Sequence, residues 1–114
     1  MFDFQKLEIY KKAKAFHIDC RALISKKNLD TYVRDQLGRA SFSVILNVAE
    51  GSGKFSKADR RNFFTTSRAS VFECVAILDT LKDMQVIDEA TYSELLGKAE
   101  EISKILFAMI QNLK

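Results

Sequence analysis

The 114-residue sequence contains no proline and only four glycines, at positions 38, 51, 53 and 97. A β-rich fold of this size needs many turns built from those two residues, so their scarcity argues for long helices with few connections. Histidine occurs once, at His17. With no Glu-x-x-His pair and no Cys-x-x-Cys, nothing is present from which to build a zinc or di-iron site. A Ser-His-Asp or Cys-His arrangement has a single histidine to draw on. Helical ribonucleases that place a His four to six residues after an Arg are excluded, because no His follows any Arg. The sequence is therefore expected to be non-enzymatic, with no metal and no cofactor, and His17 is expected as a structural or surface residue. The only two cysteines, Cys20 and Cys74, lie far apart inside apolar helical patterns and read as buried reduced thiols.

Long apolar runs are missing as well. The N-terminus alternates apolar and charged residues instead of forming a secretory apolar core. The longest stretch without charge, Ala40 to Ala49, falls short of the roughly 20 residues a membrane span needs and contains Ser41, Ser43 and Asn47. A soluble, cytoplasmic protein with no membrane partner is expected. Residues 1–114 have room for one domain, and a core this small gains readily from self-association.

What is present is a helical apolar period, four times over. Phe4, Leu7, Tyr10, Ala13, Phe16, Cys20, Leu23 and Ile24 recur at spacings of three and four and predict a first helix over Phe4 to Ile24. Asp30 or Thr31 can cap a second helix that continues to about Glu50 and stops at Gly51-Ser52-Gly53. Ser56 followed by Asp59 reads as a capping-box variant opening a third helix to about Met84, striped by Phe63, Ser67, Ser70, Val71, Cys74, Leu78 and Leu81. Phe72 points away from that stripe. Asp88 opens the fourth, with Ile87 and Tyr92 placed as a hydrophobic staple, and Tyr92, Leu95, Leu96, Ala99, Ile102, Leu106, Met109, Ile110 and Leu113 on its stripe. Four such helices with short connections predict an all-α, up-down-up-down antiparallel four-helix bundle.

The second helix carries too much apolar surface for one bundle. Leu37, Ala40, Ser41, Val44 and Val48 form one stripe, and Phe42, Ile45, Leu46 and Ala49 widen it to an arc of about 240°, against the roughly 100° of a half-exposed helix. Phe42, Ile45, Leu46 and Ala49 are accordingly expected at a homo-oligomer interface. Arg39, Ser43, Asn47 and Glu50 occupy the remaining polar edge, with Glu73 in mid-helix 3. They are expected to form a structural polar network, with a bound ligand as the other reading of that edge.

The net charge of +3 hides an asymmetry: residues 1–60 carry +5 and residues 61–114 carry −2. The densest cluster, Lys54, Lys57, Arg60, Arg61 and Arg68, is opposed locally only by Asp59, and it is the candidate nucleic-acid-binding surface. Gly51-Ser52-Gly53-Lys54-Phe55-Ser56 does not read as a phosphate-binding loop: Val48 stands where the first glycine is needed, Phe55 follows the lysine, and a helix precedes it. The phenylalanines sit at core spacing, without the aromatic-basic interleaving of single-strand binders.

Gln36-Leu37-Gly38-Arg39-Ala40-Ser41-Phe42-Ser43-Val44-Ile45-Leu46-Asn47-Val48-Ala49-Glu50-Gly51 closely resembles the signature Q-L-x-R-A-x-x-S-I-P-x-N-I-A-E-G of the four-helix-bundle proteins encoded in intervening sequences of bacterial 23S ribosomal RNA genes. Phe63-Phe64 through Ala69-Ser70-Val71-Phe72-Glu73 matches that family's F-L…G-S-x-x-E. Ile45 stands where the family has proline, which should leave helix 2 straighter. Ala69 stands where it has glycine, adding a methyl at a place where helices could approach closely. The resemblance implies rings of five bundles with a basic surface. It also implies kinship to the accessory protein of diversity-generating retroelements, which binds a reverse transcriptase and nucleic acid. The expected partners are thus further copies of the chain, five preferred, together with RNA or DNA, or a reverse transcriptase or other nucleic-acid-handling protein. A ring of five would carry +15. The other reading is a structural, protein-protein assembly module whose charge serves solubility.

Overall fold

A computed structural model describes residues 1–114 and contains four α-helices: α1 (Glu8–Lys26), α2 (Thr31–Ser52), α3 (Lys57–Asp83) and α4 (Glu89–Asn112). Each packs on its neighbours in sequence, and α4 closes back onto α1. Cross-helix hydrogen bonds and ion pairs set the antiparallel register. Ser67 Oγ on α3 donates to the Val44 carbonyl of α2 (2.8 Å), and Lys12 of α1 meets Glu101 of α4 at 2.5 Å. The bundle measures 44 × 25 × 22 Å.

The apolar stripes meet along the bundle axis. Phe16, Leu37, Val44, Val48, Val71, Leu78, Ile102 and Leu106 are fully buried there, with Cys20 and Cys74 beside them. Both thiols are free. Burial pushes the Cys20 thiol up to about 12 and the Cys74 thiol up as well, so neither offers a thiolate at neutral pH. No buried side-chain polar atom lacks a partner.

The helix starts at α3 and α4 follow the sequence. Ser56 Oγ accepts from the Asp59 N–H at 3.1 Å, and Asp88 Oδ1 from the Thr91 N–H at 2.7 Å. Ile87 and Tyr92 are both buried around the second cap. The first helix differs from expectation. Asp3–Lys6 is a single 3-10 turn, Leu7 is extended at φ −72°, ψ 135°, and α1 begins only at Glu8. Its stripe therefore starts at Ile9, which is buried, while Leu7 is exposed. Helix α2 runs unbroken past Ile45, and Ala69 lies exposed, so its methyl meets no close helix approach.

Two connections are built otherwise than the glycines suggest. Gly51 does not end α2. It is buried in the last turn of the helix, and Gly53 is the C-cap. A Cβ at Gly51 would meet Phe64 Cε1 at 2.7 Å and Phe63 Cβ at 3.0 Å, so the glycine is there to let α3 approach. Gly51→Ala is expected to cost about 1–3 kcal/mol by overpacking, read as a drop in the thermal midpoint. By contrast, α3 ends in a full Schellman motif without glycine: Gln85 is left-handed at φ 62°, its N–H bonds the Lys82 carbonyl, and the Val86 N–H bonds Leu81. Gln85→Gly is expected to stabilise by about 0.5–1 kcal/mol, since only glycine adopts that conformation without steric cost. Chemical denaturation checks it through the unfolding midpoint.

Candidate nucleic-acid interface

The short segment between α2 and α3 and the first turns of α3 carry the basic cluster, and the structure divides it in two. Lys54 and Lys57 are exposed, and neither side chain makes a hydrogen bond or ion pair. The Lys54 ammonium lies 5.0 Å over the Phe63 ring. Arg60 Nε donates to the Lys54 carbonyl at 2.8 Å, which staples the turn. Between these cations Phe55 is fully exposed. This corrects the expectation of core spacing for Phe2, Phe55 and Phe107, which are exposed; Phe16 and Phe64 are buried, and Phe42 and Phe72, placed off the inward stripes by the sequence, are exposed as well. Phe55 lies outside both helices, so no helical period applied to it, and nothing packs over the turn.

Arg61 and Arg68 belong to the other half. Arg61 Nη1 donates to the Leu113 carbonyl at the end of α4, where helix carbonyls are left without intrahelical partners. Arg68 Nε donates to the Ser103 carbonyl at 3.3 Å, and its guanidinium sits 4.8 Å from the Phe72 ring and 5.4 Å from that of Phe107. The two arginines tie α3 to α4, and Arg68 is flanked by two exposed aromatic rings.

The polar edge of α2 is only partly assembled. Asn47 Nδ2 donates to the Ser43 hydroxyl (3.0 Å) and carbonyl (2.9 Å), and Ser70 of α3 joins through the Ser43 hydroxyl at 2.9 Å. Arg39, Glu50 and Glu73 are exposed and lie outside this set; Glu73 accepts from Gln36 Nε2 at 3.0 Å. The outer apolar face is narrower than its sequence arc. Phe42 and Leu46 are 47% and 44% exposed and Ala49 is half-buried, but Ile45 is buried in the chain's own core. No group of three His, Cys, Asp or Glu side chains is placed to hold a metal ion.

His17 is half-buried on α1, with Nδ1 2.7 Å from the Ser41 hydroxyl and its ring 5.3 Å from that of Phe42. Burial, then the positive charge of Arg21, holds it below the usual histidine range. Phe55, the pairing of Phe72 and Phe107 around Arg68, and Arg21 and Arg34 near His17 lie outside the sites expected from the sequence. Exposed aromatics outside the helical stripes were the available signal for the first two. Arg21 and Arg34 are brought together only by the pairing of α1 with α2.

The family described as 23S rRNA-intervening sequence protein matches this chain over residues 5–108. Among solved structures, a protein of unknown function from the S23 ribosomal protein family of Bacteroides thetaiotaomicron superposes with a TM-score of 0.85 at 21% identity. The superposition covers 90% of this chain and 97% of that one, a likeness of fold. Among curated proteins no match is found. No helix is long and apolar enough to cross a membrane.

Proposed function

We propose a non-enzymatic role for this chain, which belongs to the 23S rRNA-intervening sequence protein family: a homo-oligomeric bundle, five chains to a ring, whose basic surface binds nucleic acid. The observation that carries the reading is the α2–α3 turn. There Lys54 and Lys57 stand unpaired around a fully exposed Phe55, at the start of a 27-residue helix. The helix dipole and free N–H groups add to the lysine charge in attracting phosphate. An aromatic ring among cations suits the stacking of unpaired bases, which favours single strands.

Self-association is supported by two different exposed apolar patches. One is Phe42 and Leu46 on α2; the other is Phe72 and Phe107 around Arg68 on α3 and α4. A closed ring needs two such dissimilar patches, because each subunit meets the next head to tail. A ring repeats the turn once per chain and multiplies its field.

The experiment is fluorescence anisotropy with labelled single-stranded and duplex oligonucleotides at low salt. Wild type is expected to bind both. Phe55→Ala is expected to weaken single-strand binding roughly tenfold, about the value of one stacked base, and to leave the duplex unaffected. Absence of wild-type binding would favour a structural assembly module. One observation speaks for that second reading: Arg60, Arg61 and Arg68 already donate to carbonyls of their own chain.

A further inference from the structure

A second basic feature lies towards the other end of α2 from the turn, some 24 Å away at 1.5 Å of helical rise per residue. Here α1 and α2 form an open cleft of about 360 Å³, lined by His17 and Arg21 from α1 and by Arg34, Asp35, Gly38, Arg39 and Phe42 from α2. Three guanidiniums thus border one concavity, against a single carboxylate. None of Arg21, Arg34 and Arg39 makes an ion pair or a side-chain hydrogen bond within the chain, and all three are exposed. The other three arginines donate to backbone carbonyls, so the guanidiniums without a partner are those gathered here.

The local architecture keeps the cleft open. Gly38 presents no side chain, and even a Cβ there would leave Arg21 Nη1 at 4.0 Å. His17 is fixed by the Ser41 hydroxyl at Nδ1, and its Nε2 has no protein partner. Burial first, and then the charge of Arg21, lowers the basicity of His17.

We propose that this cleft is a binding site for a phosphate group, held by Arg21, Arg34 and Arg39 with His17 Nε2 as a further contact. Planar guanidiniums match phosphate oxygens two at a time, which a lysine cannot do. The source of the phosphate is a free mononucleotide or a nucleic-acid backbone. The site goes beyond the proposed interface and shares no residue with the α2–α3 turn.

The single histidine gives a direct readout, because its C2 proton is one resolved NMR resonance. The His17 titration is followed in the whole protein at constant ionic strength, with chloride alone, with inorganic phosphate, with AMP and with a short single-stranded oligonucleotide. A bound anion stabilises the imidazolium, so the His17 pKa is expected to rise saturably by up to about one unit. Arg21→Gln and Arg39→Gln are expected to abolish the rise, and Lys54→Glu/Lys57→Glu to leave it intact. That last variant separates this site from the turn: a rise that survives it supports the cleft whatever becomes of binding at the turn. A response to phosphate or AMP assigns a free ligand, and a response to the oligonucleotide alone assigns a backbone phosphate. If no phosphate species moves His17 beyond chloride, the proposal is overturned, whether because the cleft is too weak or because assembly covers it. A rise that persists in both arginine variants overturns it equally.

Discussion

Reversing the charge of Lys54 and Lys57 together is expected to lower nucleic-acid affinity about two-hundredfold at 50 mM salt. The size follows from counterion release. Each duplex phosphate neutralised contributes a factor of salt concentration to the power of about 0.9, or roughly fifteenfold at 50 mM, and two contacts are lost. These two lysines are the right pair because neither side chain holds the fold together; Lys54 only overlies the Phe63 ring. Arg61 would be a poor choice, since its reversal would also remove the hydrogen bond to the Leu113 carbonyl. Lys54→Glu/Lys57→Glu should melt as wild type does by circular dichroism and lose binding by anisotropy. Equal affinity for variant and wild type would place the interface elsewhere, with Lys11, Lys12 and Lys14 of α1 next to be tested.

The second large effect is on assembly. Phe42 and Leu46 stand one helical turn apart on the outer face of α2, each nearly half exposed. In the proposed ring, either one changed to Glu would bury an unpaired charge against the next subunit, at a cost no single contact can offset. Light scattering is expected to give about 65 kDa for wild type, five chains of 13.0 kDa, and about 13 kDa for Leu46→Glu. The variant should remain helical, because Leu46 does not contribute to the chain's own core. Ile45 would make an uninformative variant: it is buried within the bundle, so a charge there would unfold the monomer first.

The four helices and most of their inward faces were legible because helical periodicity is a local signal with an unambiguous physical cause. The starts of α3 and α4 were legible for the same reason, since Ser56 and Asp88 cap within three residues. What the pattern could not supply depends on neighbours distant in sequence. Gly51 resembles a helix stop until α3 places Phe63 and Phe64 against it. Gln85 gives no turn signal, yet the Schellman bonds hold it left-handed. Ile45 belongs to the core because α1 covers that side of α2, which no count of apolar positions on α2 alone reveals.

The candidate sites show the same division. The basic cluster was visible as adjacent residues, but its split into the free lysines at the turn and the engaged Arg61 and Arg68 required the path of α4. Glu50, expected within the polar edge, is exposed and has no hydrogen-bond partner, although Ser43, two helical turns before it on the same edge, is bonded to Ser70 of α3. The arginine cleft was invisible in sequence for a geometric reason. Arg21 lies 13 residues before Arg34, and only the antiparallel pairing of α1 with α2 brings them to one rim.

The most direct measurement is the affinity of wild-type protein for a duplex oligonucleotide across salt concentrations from 50 to 200 mM. The expected result is a straight line of log affinity against log salt with a slope of about −2 or steeper, the signature of at least two neutralised phosphates per bound chain. A flat line, or no binding at 50 mM, would contradict the nucleic-acid reading and leave the bundle as an assembly module.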